Sequence, residues 1–271
     1  MTEHDVFAHQ LDKLIAARPE HAVVRLFLPA ARRDAISAFE AVVFELEQTL
    51  WHAREPQAAA AKLQWWAEEL ARTLVGQARH PLTQALSPGG SPAMPQGLPQ
   101  QWLAAALTLL DAPGAGDFTV QRAAVESFYA PLAQLEHVLL GTGAQASAAR
   151  ALSLLLRELG RIAMGQTPHR LAIPLHLLAR HQLTREALEQ ESEERDRLLH
   201  DQIVALAQAY ESLSEPVDTG LPLRLRLRLE RRLVRRLAVH ASPADALRGL
   251  ASSGVPLMTA WHAWREARRS H

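Results

Sequence analysis

Cysteine is absent from all 271 residues. That excludes a disulfide framework, a thiolate zinc site, an iron–sulfur cluster and a cysteine nucleophile. Aromatic residues make up only 5% of the chain, and β-branched residues are sparse. With no alternating apolar runs and no two-residue hairpin turns between such runs, a β-sheet is not expected. A surplus of charge of one sign is missing too: 29 Lys and Arg balance 29 Asp and Glu. A whole-surface field for nucleic acid or for an anionic membrane is therefore excluded, no nucleic-acid partner is expected, and any such binding has to be local. No uncharged apolar run reaches the roughly 18–20 residues that span a bilayer. The opening MTEHDVFAHQLDK lacks the basic-then-apolar order of a signal peptide. The expected location is the cytoplasm, at most peripheral to the inner membrane.

Familiar catalytic signatures are lacking as well. There is no P-loop, no strand-borne Gly-x-Gly-x-x-Gly, no His-Glu-x-x-His and no Gly-x-Ser-x-Gly. The thirteen histidines are scattered, and His176 and His181, five apart, do not share a helix face.

What is present is helix-forming composition. Hydrophobic residues at 48% allow a sizeable core, and the rest is rich in Glu, Gln and Arg. The pattern predicts an all-α, single-domain bundle with helices near 5–17, 31–52, 56–77, 80–87, 99–111, 119–140, 144–164, 184–213, 222–240, 243–252 and 255–269. SPGGSPAMPQGLPQ, at 87–100, reads as a mobile loop within that domain, because its prolines and glycines cannot continue a helix. PLRLRLRLERRLVRRL, at 222–237, alternates like a strand at first, yet Leu225, Leu229, Leu233 and Leu237 recur every four residues. It reads as a helix with one leucine stripe and a basic remainder: Arg224, Arg226, Arg228, Arg231, Arg232, Arg235 and Arg236. That remainder is either a solvated face or a patch for a membrane surface or an acidic partner.

Four stretches carry a family resemblance: RLFLPAARRDAISAF (25–39), KLQWWAEEL (62–70), GQARHPLTQAL (76–86) and LLLRELGRIAMGQTPHRLAIPLHLLARHQL (154–183). Together they resemble the squalene/phytoene synthase family, head-to-head prenyltransferases with an all-α isoprenoid-synthase fold around a central cavity. The resemblance implies Mg²⁺ ions that bridge a leaving pyrophosphate to aspartate-rich motifs on two facing helices, since hard Mg²⁺ seeks carboxylate oxygens.

Matched to Ala38-Phe39, the first motif falls on Phe44, Glu45 and Gln48. The second falls on Leu154, Arg157, Glu158, Arg161 and Ile162. Within AFEAVVFELEQT the helical wheel puts Glu45 on the motif side and Glu40 and Glu47 on another edge. Only Glu45 and Glu158 remain as weak metal candidates, and Arg157 and Arg161 as anion-binding candidates. No catalytic residue and no cofactor is expected, with Mg²⁺ entering only if a prenyltransferase activity survives. "AF–ELEQ" followed by "KLQWW" resembles an aspartate-poor branch that includes a mitochondrial complex I assembly factor. That likeness implies a non-catalytic protein that binds a protein partner or an apolar isoprenoid lipid, peripheral to a membrane.

Overall fold

The computed structural model describes residues 3–86, 97–143, 145–213, 219–240, 243–252 and 258–268. These residues form thirteen α-helices, one short 3₁₀ turn at Glu186–Glu189, and no strand. The helices are α1 (Glu3–Ala17), α2 (Glu20–Phe27), α3 (Ala30–His52), α4 (Pro56–Leu74), α5 (Pro81–Gln84), α6 (Leu98–Asp111) and α7 (Phe118–Leu140). They continue with α8 (Ser147–Ala163), α9 (Leu175–Arg180), α10 (Glu193–Ser212), α11 (Leu221–Leu237), α12 (Pro243–Ser252) and α13 (Met258–Arg268).

Proline does much of the punctuation. Pro56, Pro81, Pro99 and Pro222 sit in the first turns of α4, α5, α6 and α11, where a missing N–H is harmless. Asp117 and Ser192 cap α7 and α10 by accepting from Val120 N at 2.9 Å and Arg195 N at 3.1 Å. The Ser192 cap explains why the single helix expected over 184–213 is broken: extended backbone at Gln190 and Ser192 separates the 3₁₀ turn from α10. The short helices α2 and α9 are absent from the sequence reading, although Pro19 and Pro174 stand at their starts. Of the loop expected at 87–100, residues 87–96 lie outside the described residues. Residues 98–100 already belong to α6, entered through Gly97 at φ 102°.

One large apolar core draws on α1 and on α3 to α12. A smaller one, Val24, Leu28, Leu221, Leu225 and Ala263, joins α2, α11 and α13. Helix α3 runs through the middle. Every residue from Ser37 to Val43 on it is buried, and the burial continues to Trp51 with only Phe44 and Gln48 half-exposed. It packs against α1, α4, α5, α6 and α7, so most of its circumference is enclosed and only a narrow edge at Phe44 and Gln48 reaches solvent. A glutamate there has to find a partner inside the protein or stay neutral.

Candidate functional site

The structure places the three glutamates of AFEAVVFELEQT differently from the helical wheel. Glu40 and Glu47, assigned to an edge away from the motif face, point into the interior toward α8. Glu45, assigned to the motif face, turns to the rim, where Lys62 reaches it at 3.2 Å and Lys13 at 3.8 Å. The wheel set the motif side of α3 apart from the edge of Glu40 and Glu47. The helix is enclosed, so that division does not hold.

Opposite α3, two arginines on α8 repeat the glutamate spacing. Arg150 donates to Glu40 at 2.7 Å and Arg157 to Glu47 at 3.1 Å. Each pair of positions is seven residues apart, two helical turns or about 10 Å. The result is a two-rung ladder between helices whose backbones scarcely approach. Long side chains bridge the gap, and a third contact, His52 to Glu158 at 3.5 Å, closes its end.

Other elements complete the network. Arg18, in the α1–α2 connection, pairs with Glu47 and stands 3.6 Å from Glu40. Arg226 of α11 donates to Glu40 at 3.0 Å and to Glu20 at 3.3 Å. Glu136 of α7 accepts from Arg150 at 2.8 Å, and Tyr129 donates to Glu47 at 2.6 Å. Ser153 accepts from Arg157 at 2.8 Å and donates to Glu230 at 2.6 Å, which also accepts from Tyr210 at 2.9 Å. Most of these side chains are buried; Arg157 keeps partial access. Four arginines (Arg18, Arg150, Arg157 and Arg226) thus face four glutamates (Glu40, Glu47, Glu136 and Glu230).

Electrostatics follow the partner count. Burial pushes the Glu40 carboxyl up, but the Arg150, Arg226 and Arg18 guanidiniums outweigh it and hold it well below the carboxylate range. Glu47 is lowered likewise: burial opposes, and Arg18, Arg157 and the Tyr129 hydroxyl prevail. Burial raises Glu136 and Glu230 despite their partners. At Glu158 burial wins outright. The carboxyl is pushed up to about 7, its Oε2 has no hydrogen-bond partner, and Arg161 stays 3.9 Å from Oε1. Burial also lowers neighbouring His52 to about 4, so that contact is a neutral imidazole facing a half-protonated acid at neutral pH.

The remaining predicted positions scatter. Phe44 is half-buried beneath the Arg18 guanidinium, 5.5 Å from the ring centre, while Leu154 and Ile162 are core residues. Gln48 lines a shallow pocket of about 370 Å³ with Thr49, Arg54 and Lys62. The seven arginines of α11 do not form one basic face. Arg226 points into the network, Arg231 donates to Leu213 O at 2.5 Å, and Arg235 forks onto Glu211. Nor does α11 carry a single leucine stripe: Leu223, Leu227, Val234 and Leu237 enter the large core, while Leu221 and Leu225 enter the small one.

Sequence reasoning missed Arg18, Tyr129, Glu136, Arg150, Ser153, Tyr210 and Glu230. The one available signal was the matched seven-residue spacing of Glu40/Glu47 and Arg150/Arg157.

A magnesium cluster of the kind implied by the resemblance does not fit these donors. At Glu47, Oε2 meets two guanidiniums and Oε1 the Tyr129 hydroxyl. At Glu40, Oε1 meets Arg150, and Oε2 meets Arg226 and Arg18. Glu45 and Glu158 have different partners, and among the described residues no three His, Asp or Glu side chains converge as metal ligands would.

No protein-family profile matches the sequence. No curated protein matches it either. Solved structures do match the fold. A dehydrosqualene synthase in complex with ligand aligns with a TM-score of 0.64 at 15% identity, over 99% of this chain and 97% of that one. Squalene synthase HpnC from Alicyclobacillus acidocaldarius aligns with a TM-score of 0.53 at 17% identity, over 93% of this chain and 97% of that one. The chain therefore has the all-α isoprenoid-synthase fold of those two proteins; identities this low carry the fold and not the chemistry.

Proposed function

We propose that this chain, built on the fold of squalene and dehydrosqualene synthases, is a non-catalytic binding or assembly protein rather than a prenyltransferase. The observation that carries this reading is the consumption of carboxylates by arginines between α3 and α8. Glu40 and Glu47 are held as anions by Arg18, Arg150, Arg157 and Arg226. A cation entering there would have to displace buried guanidiniums, and each displaced guanidinium would lose its partner in a low-dielectric interior. Arg157 and Arg161 do not make a ready pyrophosphate clamp either, because Arg157 is spent on Glu47 and Ser153.

The resemblance to the aspartate-poor branch named above supports the same direction. The partner would be a protein or an apolar isoprenoid lipid. With farnesyl or geranylgeranyl diphosphate and Mg²⁺, the purified protein should release no pyrophosphate above a no-protein blank. Mg²⁺-dependent release that disappears in Glu47→Gln or Glu158→Gln would overturn the reading in favour of an altered prenyltransferase. Isothermal titration with Mg²⁺ and inorganic pyrophosphate should likewise give no saturable heat.

A further inference from the structure

Helix α13 has two unlike faces. Its inner face is anchored: Thr259 and Ala263 are fully buried, and His262 lies between Arg232 at 2.9 Å and Arg228 at 3.5 Å on α11. Its outer face carries Met258, Trp261 and Trp264, which are 56%, 44% and 42% exposed. These three recur at intervals of three, so they form one ridge. Two arginines are stacked on that ridge, Arg265 over the Trp261 ring at 5.4 Å and Arg268 over the Trp264 ring at 4.8 Å. In sequence, residues 258–271 hold Arg265, Arg268 and Arg269 against the single acid Glu266.

Soluble surfaces rarely expose two tryptophans side by side, so this ridge calls for a covering. The helix packs on α2 and α11 through its other face, which leaves the ridge outermost. Its apolar side chains offer on the order of 300 Å², against about 800 Å² per partner in a stable protein interface. A bilayer surface requires no such complementary area. Indole rings settle at the headgroup level, with the ring in the acyl boundary and the N–H toward water, and guanidiniums beside them meet lipid phosphates.

We propose that the Met258–Trp261–Trp264 ridge with Arg265 and Arg268 is a docking surface for anionic phospholipid membranes. The chain would lie on the bilayer without crossing it; among the described residues no helix is long and apolar enough to span one. This surface is separate from the buried network, so its test stands or falls independently of whether the protein is catalytic.

The test is co-sedimentation of the full chain with vesicles of phosphatidylcholine, with and without phosphatidylglycerol, at low and high salt, alongside tryptophan emission. Binding should require phosphatidylglycerol, weaken with salt, and shift the emission to the blue. Trp261→Ala/Trp264→Ala should reduce binding at least about tenfold. Arg265→Gln/Arg268→Gln should reduce the anionic preference by about fivefold per arginine. All four side chains are at the surface, so thermal melts of both variants should match the parent. Failure of the parent to bind phosphatidylglycerol vesicles, or undiminished binding by both variants, would overturn the proposal. So would a dimer in solution that the tryptophan variant dissolves, since a second copy would then be the covering.

Discussion

Glu45, Glu40 and Glu47 lie within eight residues of one helix and should respond to substitution to very different degrees. Removing the charge of Glu47 leaves Arg18 and Arg157 facing each other, and removing that of Glu40 leaves Arg150 with Glu136 and Arg226 with Glu20 as their remaining carboxylates. Each change to Gln should cost about 3–5 kcal/mol, a large part of the stability of a typical domain. Glu45→Gln, whose partners are half-exposed lysines, should cost less than about 1 kcal/mol. Urea titration of the three variants separates the cases. Glu158 behaves differently again. Its folded carboxyl titrates near 7, above its ordinary 4.5, so between those values the folded state keeps a proton that the unfolded chain releases. Its contribution therefore declines as pH rises through that window, by about 3 kcal/mol in all. Glu158→Gln should recover most of that at pH 8 and change little at pH 4. At this scale the sequence was legible in part. The acids that matter lie in the quoted stretch, but which of them turns inward depends on neighbours five helices away in the chain, and a wheel cannot supply those.

Elements were read more faithfully than residues. The limits of α3, α6, α7 and α12 lie within one or two residues of expectation, because proline, glycine and capping side chains act locally. Errors arose where tertiary contact overrode pattern. The four-residue recurrence of leucine in α11 reads as one apolar stripe with a basic remainder, yet the helix is wedged between two cores and sends Arg226 inward. Two connections carry predictions. Gly143, between α7 and α8, has φ 92°, and a Cβ there would collide with the Glu136 carboxylate. Gly143→Ala should thus combine backbone strain of about 1–3 kcal/mol with displacement of an Arg150 partner, seen as a fall in melting temperature. Ser192→Ala removes only the α10 cap and should cost about 1 kcal/mol. If the two variants melt alike, the coupling of the α7–α8 turn to the ladder is wrong.

For the whole molecule, fold and chemistry separate. The helical bundle, the order of its elements and its likeness to squalene and dehydrosqualene synthases could be anticipated from four short stretches of sequence. The content of the interior could not be. Its network draws on Arg18, Tyr129, Glu136, Arg150, Tyr210, Arg226 and Glu230, spread over more than 200 positions and joined only when the chain folds. What the architecture holds in place is a set of mutually satisfied charges, and that has a bearing on descent. Because losing one member of the α3–α8 ladder removes much of a domain's margin, a lineage can hardly drift through single replacements there. Glu40 with Arg150, and Glu47 with Arg157, should therefore persist or vanish as couples wherever this fold is kept with these charges inside.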